Sequence, residues 1–152
     1  MARMNTMEIA LAAAREAGER DEVPVGAAIV CDGVVVATAG NETRERRDPT
    51  AHAEMVAIHR ACKALGRERL DGCDLYVTLE PCAMCAAAIS FARIRRLYFG
   101  ASDPKGGGVE HGPRFYGQPT CLHAPEVYSG IDASRSAELL QAFFRARRDG
   151  RP

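Results

Sequence analysis

Residues 75–100 read LYVTLEPCAMCAAAISFARIRRLYFG, and the order of elements within this stretch decides the fold. The nearly uncharged run 75–79 predicts a short strand that lies centrally in its sheet and is buried on both faces. Pro81 then opens a predicted helix that continues to about Arg93, since proline is well tolerated in a first helical turn. A second strand is predicted over residues 96–100. A strand, a helix and a strand in succession predict a sheet with parallel neighbours, covered by helices.

The alternation of strands and helices extends along the rest of the chain. Asp32-Gly33 is a turn dipeptide between two apolar runs, which predicts a β-hairpin. Gly66 marks the end of a helix that begins near Thr50, because glycine favours the backbone conformation found at helix C-termini. Further helices are predicted over residues 5–19 and 134–148, strands over 23–30 and 34–37, and loops with at most short strands over 41–49 and 102–133. We therefore expect an α/β fold in which a sheet lies between helix layers.

Length and composition place few limits on function. The chain has 152 residues, enough for one domain with its own core, and we expect a single domain over residues 1–152. No apolar run approaches the roughly 20 residues that cross a bilayer, and the N-terminal stretch is better interpreted as an amphipathic helix than as a signal peptide. The formal net charge is zero, so charge alone does not indicate a nucleic-acid partner.

Residues 93–152 nevertheless carry a net charge of +4, from ten Lys/Arg against six Asp/Glu, and several of their arginines lie close together in the sequence. They form one cluster of Arg93, Arg95 and Arg96 and a C-terminal cluster of Arg145, Arg147, Arg148 and Arg151. One interpretation is a solvated helix face and a charged tail. The other is a rim that contacts phosphates and gains affinity by releasing counterions. The sequence leaves both interpretations open.

The cysteines point to metal binding rather than to a disulfide framework. They are Cys31, Cys62, Cys73, Cys82, Cys85 and Cys121. Only Cys82 and Cys85 have a recognisable spacing, the C-x-x-C of metal sites and of redox dithiols. In a domain of this size without a secretory signal, metal binding is the favoured interpretation. We expect the other four to be free, partly buried and inert thiols, which suits a reducing cytoplasm.

His52 supplies the third ligand of the predicted metal site. It precedes the C-x-x-C pair by about thirty residues, in the segment His52-Ala53-Glu54. Cys82 and Cys85 are three residues apart on one predicted helix face, and the free N–H groups of a first helical turn favour their thiolates. His52 is likewise predicted in the first turn of its helix. One histidine and two cysteines fill three corners of a zinc tetrahedron and leave the fourth for water, as in catalytic sites.

Glu54 distinguishes a catalytic from a structural zinc site. A structural site needs a fourth cysteine or histidine, and the nearest candidate, His59, lies about two helical turns away. Glu54 could ligate the metal, but we expect it to lie beside the open position as a proton shuttle. Zinc lowers the pKa of bound water from near 16 to about 7, so zinc-activated water is the predicted nucleophile. The pattern H-x-E…P-C-x-x-C is the signature of zinc nucleobase deaminases.

The phrases around these motifs resemble the bacterial tRNA-specific adenosine deaminases of the cytidine deaminase superfamily. The resemblance runs from about Met7 to Arg148. It includes the stretches VPVGA (23–27), GN (40–41), DPTAHAE (48–54), LYVTLEPC (75–82), Cys85, RI (93–94), FGA (99–101) and FFR (143–145). The zinc motif marks the superfamily, whereas DPTAHAE and TLEPC narrow it to a branch that also holds guanine and other base deaminases.

The resemblance implies a cytidine deaminase-like fold, a three-layer α/β/α sandwich with a five-stranded mixed sheet, and a homodimer with one Zn²⁺ per subunit. It also implies a cytoplasmic enzyme that deaminates adenosine to inosine at the wobble position of a tRNA anticodon. Asn41 would hydrogen-bond the flipped nucleoside, and Ala53 would contact the base through its backbone. Asp103 and Lys105 would lie near the flanking nucleotides, and Phe144 or its neighbour Phe143 would stack or pack against the RNA loop.

Simpler interpretations exist for several of these residues. Asn41 after a glycine and Asp103 before a proline are both typical of turns. The doublet Phe143-Phe144 lies on a predicted helix, so at least one of the two rings is expected in the core.

The region after residue 101 departs from the family pattern. DPKGGG (103–108) replaces the familiar threonine-containing loop, and CLHAP (121–125) replaces a paired-histidine segment. His111 and His123 could face RNA in this region, but each is more simply a surface-loop residue. These departures leave the zinc chemistry untouched and fall where the substrate would be chosen.

Three functions are therefore compatible with the sequence. The first is a tRNA adenosine deaminase. The second is a deaminase of a free base or nucleoside, such as guanine or cytosine, which would use the same zinc, water and Glu54. The third is a zinc-stapled RNA-binding or structural module without catalysis, which would unfold when zinc is removed.

Overall fold

The computed structural model describes residues 5–149 and contains a five-stranded mixed sheet, as expected. The helices are α1 (Thr6–Glu19), α2 (Thr43–Arg46), α3 (Ala53–Leu65), α4 (Ala83–Phe91) and α5 (Ala133–Asp149), with a 3-10 turn at Phe115–Gly117. The strands are β1 (Gly26–Cys31), β2 (Val34–Gly40), β3 (Cys73–Leu79), β4 (Arg96–Ala101) and β5 (Glu126–Tyr128). The strand order β2-β1-β3-β4-β5 places β3 at the centre. Arg151 of the C-terminal arginine cluster lies outside the described residues.

The two strands of the 75–100 stretch are parallel neighbours, as predicted. Their register sets Leu75 opposite Leu97 and Val77 opposite Phe99, and all four side chains are fully buried. β5 extends the parallel half of the sheet, whereas the hairpin β1–β2 forms the antiparallel half. The prediction that β3 is buried on both faces is too strong, because Tyr76 on its other face is only half-buried.

Helices cover both faces of the sheet, which confirms the three-layer sandwich. α3 and α4 pack on the face that carries Val77 and Phe99, and α1 and α5 pack on the opposite face. Gly26 allows α1 to lie directly on β1, because a Cβ atom at this position would clash with backbone atoms of Ala10 and Ala14. Within residues 5–149, no helix is both long and apolar enough to cross a membrane.

The segment 41–49, predicted as a loop, contains the short helix α2. A carboxylate from outside the segment stabilises its first turn. The buried side chain of Glu22 accepts hydrogen bonds from the backbone N–H groups of Arg44, at 3.1 Å, and Glu45, at 2.9 Å. The helix therefore depends on a partner some twenty residues upstream, which local sequence patterns do not reveal.

Two helices begin later than predicted, and this moves two of the predicted metal ligands. His52 and Cys82 are the N-cap residues of α3 and α4, not first-turn residues, and each has an extended backbone with φ of −69°. Pro81 was predicted to open its helix but precedes the N-cap. Its carbonyl oxygen instead accepts the N–H of Gly108, at 2.8 Å, from a distant loop.

Cys31 and Cys73 form a disulfide, so the prediction that both are free thiols is wrong. The antiparallel register of β1 and β3 sets the two residues directly opposite each other, with their Cα atoms 4.4 Å apart. This separation lies at the short end of the range for disulfides. The two cysteines are 42 residues apart in the sequence, so only the strand register brings them together. Cys62 and Cys121 are free, as predicted.

Candidate active site

The three predicted zinc ligands meet at one point between two helix N-termini. The Nδ1 atom of His52 lies 3.6 Å from the Sγ atom of Cys82 and 3.5 Å from that of Cys85. Zinc bonds of about 2.3 Å to sulfur and about 2.0 Å to nitrogen, at tetrahedral angles, would set each of these pairs about 3.6 Å apart. The arrangement therefore fits a tetrahedral zinc ion with one position left for another ligand. Among the described residues this is the only cluster of its kind.

The environment of the two thiols favours metal binding. The nearby Cys85 thiol, His52 ring and Cys85 backbone N–H favour the thiolate of Cys82; together they outweigh its burial and lower the pKa of Cys82 to about 4. The same contact, together with burial, raises the pKa of Cys85. The pair therefore holds one proton, which a bound zinc ion would displace.

Glu54 lies in the first turn of α3, next to the ligand cluster. Its side chain is buried, and its Oε1 atom is the one buried side-chain polar atom without a hydrogen-bond partner among the described residues. Burial raises the pKa of Glu54 to about 7. An unpaired buried carboxylate oxygen is costly, and such atoms are found where a ligand or a reacting group completes the site. The geometry therefore fits Glu54 as a proton carrier.

A cleft of about 620 Å³ opens from the ligand cluster, a volume in the range of small-molecule sites. Its walls come from six segments of the chain, at residues 23–25, 41–43, 52–54, 79–82, 101–106 and 137–144. The lining residues are Val23, Val25, Asn41, Thr43, His52, Glu54, Leu79, Glu80, Cys82, Ala101, Ser102, Asp103, Gly106, Ala137, Leu140, Gln141 and Phe144. The cleft thus brings the ligand cluster close to residues that lie up to about ninety positions away in the sequence.

Asn41 and Ala53 are joined by a hydrogen bond. The Oδ1 atom of Asn41 accepts the backbone N–H of Ala53 at 2.8 Å, and both residues are buried. This bond fixes the start of α3 and occupies the backbone N–H of Ala53, so this N–H is not free to contact a base. The side-chain amide nitrogen of Asn41 donates to no described residue, and Asn41 lines the cleft.

Asp103 and Lys105 differ in their relation to the cleft. Asp103 lines it, while its Oδ1 atom also accepts the N–H groups of Lys105, at 3.2 Å, and Gly106, at 3.0 Å. Asp103 is therefore both a turn residue and a cleft residue. Lys105 is exposed and is not part of the cleft wall.

Phe143 and Phe144 also differ in their relation to the cleft. Phe144 is 47% exposed and lines the cleft from α5. Phe143 is half-buried, meets Phe144 edge to face, and carries the guanidinium of Arg147 over its ring at 4.2 Å from the centroid. Neither ring belongs to the buried core of residues 5–149 or packs against it, so the expectation that at least one of them lies in the core is wrong.

Glu80 is a cleft residue that the sequence did not single out. Its side chain is fully buried, and its two oxygens accept hydrogen bonds from the loop that follows β4. Burial alone would raise the pKa of Glu80, but the N–H groups of Asp103 and Glu110 and the ring of His111 outweigh it and lower the pKa. The sequence offered one indication of this role, because Glu80 in the TLEPC phrase is a charged residue directly after a predicted buried strand.

His111 and His123 form hydrogen bonds that hold the loops in which they lie. His111 Nδ1 lies 2.8 Å from Glu80 Oε1, and His123 Nε2 lies 2.8 Å from the carbonyl oxygen of Ile94. Neither histidine lines the cleft. The simpler interpretation, that both are loop residues, is therefore correct.

Comparison with known proteins identifies close relatives of the chain. Residues 2–101 match the family model for the cytidine and deoxycytidylate deaminase zinc-binding region. A tRNA-specific adenosine deaminase from Agrobacterium fabrum is 68% identical over 146 residues, which cover 96% of each chain. A solved structure from a study of A-to-I editing by tRNA:A34 deaminases at the wobble position is 69% identical, with a TM-score of 0.89 over 91% of this chain and all of that one.

A guanine deaminase from Bacillus subtilis is more distant. Its structure is 31% identical and superposes with a TM-score of 0.65 over 97% of this chain and 96% of its own. The identity to the Agrobacterium tRNA-specific adenosine deaminase is thus more than twice the identity to this guanine deaminase.

Proposed function

The chain belongs to the cytidine and deoxycytidylate deaminase family and, within it, to the tRNA-specific adenosine deaminases, and from this we propose that it converts adenosine to inosine at the wobble position of a tRNA anticodon. The reaction replaces the exocyclic amine of adenine by an oxygen from water and releases ammonia. The observation that carries the proposal is the three-ligand cluster beside the unpartnered Oε1 atom of Glu54, in the wall of one cleft.

His52, Cys82 and Cys85 would hold one zinc ion, which when bound lowers the pKa of water and so supplies a nucleophile at neutral pH. Glu54 takes one proton of the attacking water at Oε1 and passes it to a ring nitrogen; it then takes the second proton of that water and passes it to the amine, which leaves as ammonia. Its pKa of about 7 supports this role, because both protonation states are then accessible near neutral pH. Its buried position keeps bulk water from competing for the proton.

We infer substrate contacts for five residues of the cleft and its rim. Asn41 offers its amide NH₂ group to the flipped nucleoside, and the backbone of Ala53 flanks the base. Asp103 and Lys105 lie toward the neighbouring nucleotides, and Phe144 presents an exposed ring on which a base can stack. A single-stranded anticodon loop suits such a cleft, because its bases are flipped at little unstacking cost.

The proposal is tested by incubating the purified zinc-loaded protein with an anticodon stem-loop that contains one wobble adenosine. We expect inosine at that position and nowhere else in the loop, together with an equal amount of ammonia. Free guanine, cytosine and adenosine serve as competing substrates in parallel reactions. Ammonia from free guanine or cytosine, with no inosine in the stem-loop, would assign the protein to the base deaminases and overturn the proposal.

We also propose that the full chain, residues 1–152, forms one domain and assembles as a homodimer. Phe91 and Leu122 support the dimer, since 78% and 79% of their surfaces are exposed and they line a second groove of about 300 Å³ with Phe115. Apolar surface of this kind is typical of protein contacts. Light scattering should give twice the chain mass, and Leu122→Glu should shift the protein to a monomer. A wild-type monomer at micromolar concentration would contradict the dimer.

A cytoplasmic location is the last part of the proposal. The tRNA substrate proposed above supports it. Cell fractionation with an antibody to the chain tests it, and recovery of the protein outside the cytoplasm would contradict it.

A further inference from the structure

We propose that Glu80 is a positioning residue that holds the loop of residues 103–111 against the cleft and, through Asp103, sets the affinity for the nucleotides that flank the reacting base. The inference rests on the proposed function, because it assigns to this loop a part in binding RNA. Glu80 forms no described hydrogen bond with the side chain of His52, Cys82 or Cys85, and it is not among the residues proposed to contact the substrate.

Glu80 is joined to the loop by five hydrogen bonds. Its Oε1 atom accepts the Asp103 N–H at 2.9 Å and faces His111 Nδ1 at 2.8 Å. Its Oε2 atom accepts the N–H groups of Val109 at 3.2 Å, Glu110 at 2.8 Å and His111 at 3.2 Å. Both ends of the loop are therefore tied to one carboxylate, whose side chain has no exposed surface.

The shape of the loop depends on this close approach. A Cβ atom at Gly107 would lie 2.5 Å from the Glu80 carboxyl carbon, so only glycine allows the chain to wrap this tightly. At Gly108 a Cβ atom would lie 2.6 Å from the backbone nitrogen of Ala83. The loop thus lies against both Glu80 and the first residue of α4. This contact places the loop beside the helix N-terminus that carries Cys82.

Asp103 connects the Glu80 carboxylate to the cleft. Its backbone N–H is bound to Glu80, and its side chain lines the cleft. Its Oδ1 atom is occupied by the turn that continues the loop, through the N–H groups of Lys105 and Gly106. The orientation of the remaining oxygen, Oδ2, therefore follows from where Glu80 holds the backbone.

The substitution Glu80→Gln tests this arrangement with almost no change in volume. A glutamine has one acceptor oxygen and one NH₂ group. If the oxygen takes the position of Oε2, it keeps the three N–H groups of residues 109–111. The NH₂ group then faces the Asp103 N–H, donor against donor, whereas the His111 ring can accept by changing tautomer. The variant is expected to release Asp103 selectively.

We expect Glu80→Gln to raise KM for the wobble-adenosine stem-loop about tenfold, the usual consequence of leaving one buried donor unpaired. The value of kcat should change by less than about threefold, and zinc should stay at one per chain. In amide hydrogen exchange, the Asp103 N–H should lose protection while the amides of α4 keep theirs. A merely structural role would lower the amount of folded protein without changing KM.

A double-mutant cycle shows whether Glu80 acts through Asp103. Asp103→Ala alone should raise KM, and adding Glu80→Gln to it should raise KM by less than about twofold more. The matched control is His111→Ala, which removes one contact with Glu80 but keeps the bond to Asp103, and its KM should be unchanged. Gly107→Ala tests the position of the loop without altering Glu80. The added methyl group pushes the loop away from the Glu80 carboxylate and should also raise KM.

The inference is overturned if Glu80→Gln and Gly107→Ala leave KM unchanged with zinc at one per chain. It is equally overturned if Glu80→Gln loses zinc, since Glu80 would then support Cys82, or if the effects of Glu80→Gln and Asp103→Ala are additive. The wild-type protein separates this outcome from failure of the proposed function. A wild type that forms no inosine refutes the proposed function, whereas an active wild type with unaffected variants refutes only the role of Glu80.

Discussion

The ligand region (residues 52–54 and 82–85) and the Glu80-bound loop (residues 103–111) face the same cleft but are built in opposite ways. The ligand region consists of two helix N-termini that rest on the central strands, and Glu54 and Cys85 within it are buried. The loop has no regular secondary structure, several of its residues are exposed, and it is tied down by the side chain of Glu80. We therefore expect the reaction to be fixed by the core and the choice of substrate to be adjusted in the loop.

It follows that the reaction and the choice of substrate can vary separately. We expect changes in the loop to alter the proposed contacts with flanking nucleotides without removing a ligand, because none of the described hydrogen bonds joins the loop to the side chain of His52, Cys82 or Cys85. Changes in the ligand region abolish the reaction whatever the loop binds. The predictions below test this separation, beginning with the largest expected effect on activity.

Removal of zinc with a chelator should abolish deamination and leave most of the fold intact. The buried core around Leu75, Leu97 and Phe99 lies in the sheet and does not depend on the metal. Circular dichroism of the apoprotein should keep most of its helical signal, and added zinc should restore activity. A zinc-stapled binding module would instead lose its helical signal together with the metal, and that outcome would contradict a catalytic site.

Glu54→Ala should lower kcat by about 10²–10⁴-fold while zinc stays at one per chain. The reason is that the substitution removes the proton carrier but none of the three ligands. Metal analysis and inosine formation are measured on the same preparation. Zinc falling to zero would identify Glu54 as a ligand and refute its assignment as a shuttle.

Phe144→Ala should raise KM for the stem-loop about fivefold or more, because stacking of a base on an aromatic ring contributes about 1–3 kcal/mol. Phe143→Ala is the matched control on the same helix. Its ring is half-buried under Arg147, so the variant should lose thermal stability and keep KM. Equal KM values for Phe144→Ala and the wild type would exclude stacking of a base on Phe144.

Cys31→Ser should have the smallest effect on activity. The disulfide with Cys73 lies in β1 and β3, away from the cleft lining, so kcat and KM should not change. Under non-reducing conditions the free energy of unfolding should fall by about 2–4 kcal/mol. Thiol titration of the unfolded wild type should find four thiols before reduction and six after it. Six thiols before reduction would contradict the disulfide.

The ligand region could be predicted from the sequence because its information is local. The spacing of Cys82 and Cys85 determines that they share one helix end, and His52 and Glu54 lie two residues apart. The strand-helix-strand pattern of residues 75–100 gave the parallel centre of the sheet for the same reason. The errors in this region are of one or two residues, at helix starts, where His52 and Cys82 proved to be N-caps.

The features that escaped prediction depend on distant partners. The disulfide between Cys31 and Cys73 depends on strand register, and α2 depends on the carboxylate of Glu22. The role of Glu80 depends on a loop some twenty to thirty residues downstream. Periodicity and motif spacing carry no information on such pairs, since nothing in the local sequence determines which distant groups will meet.

The separation between reaction and binding is tested most directly by the affinity of Glu54→Ala for the wobble-adenosine stem-loop. The account predicts a Kd within about twofold of the wild-type value, with zinc at one per chain and no inosine after prolonged incubation. A large loss of affinity in this variant, with zinc still bound, would contradict the account, because Glu54 would then bind the RNA as well as move protons.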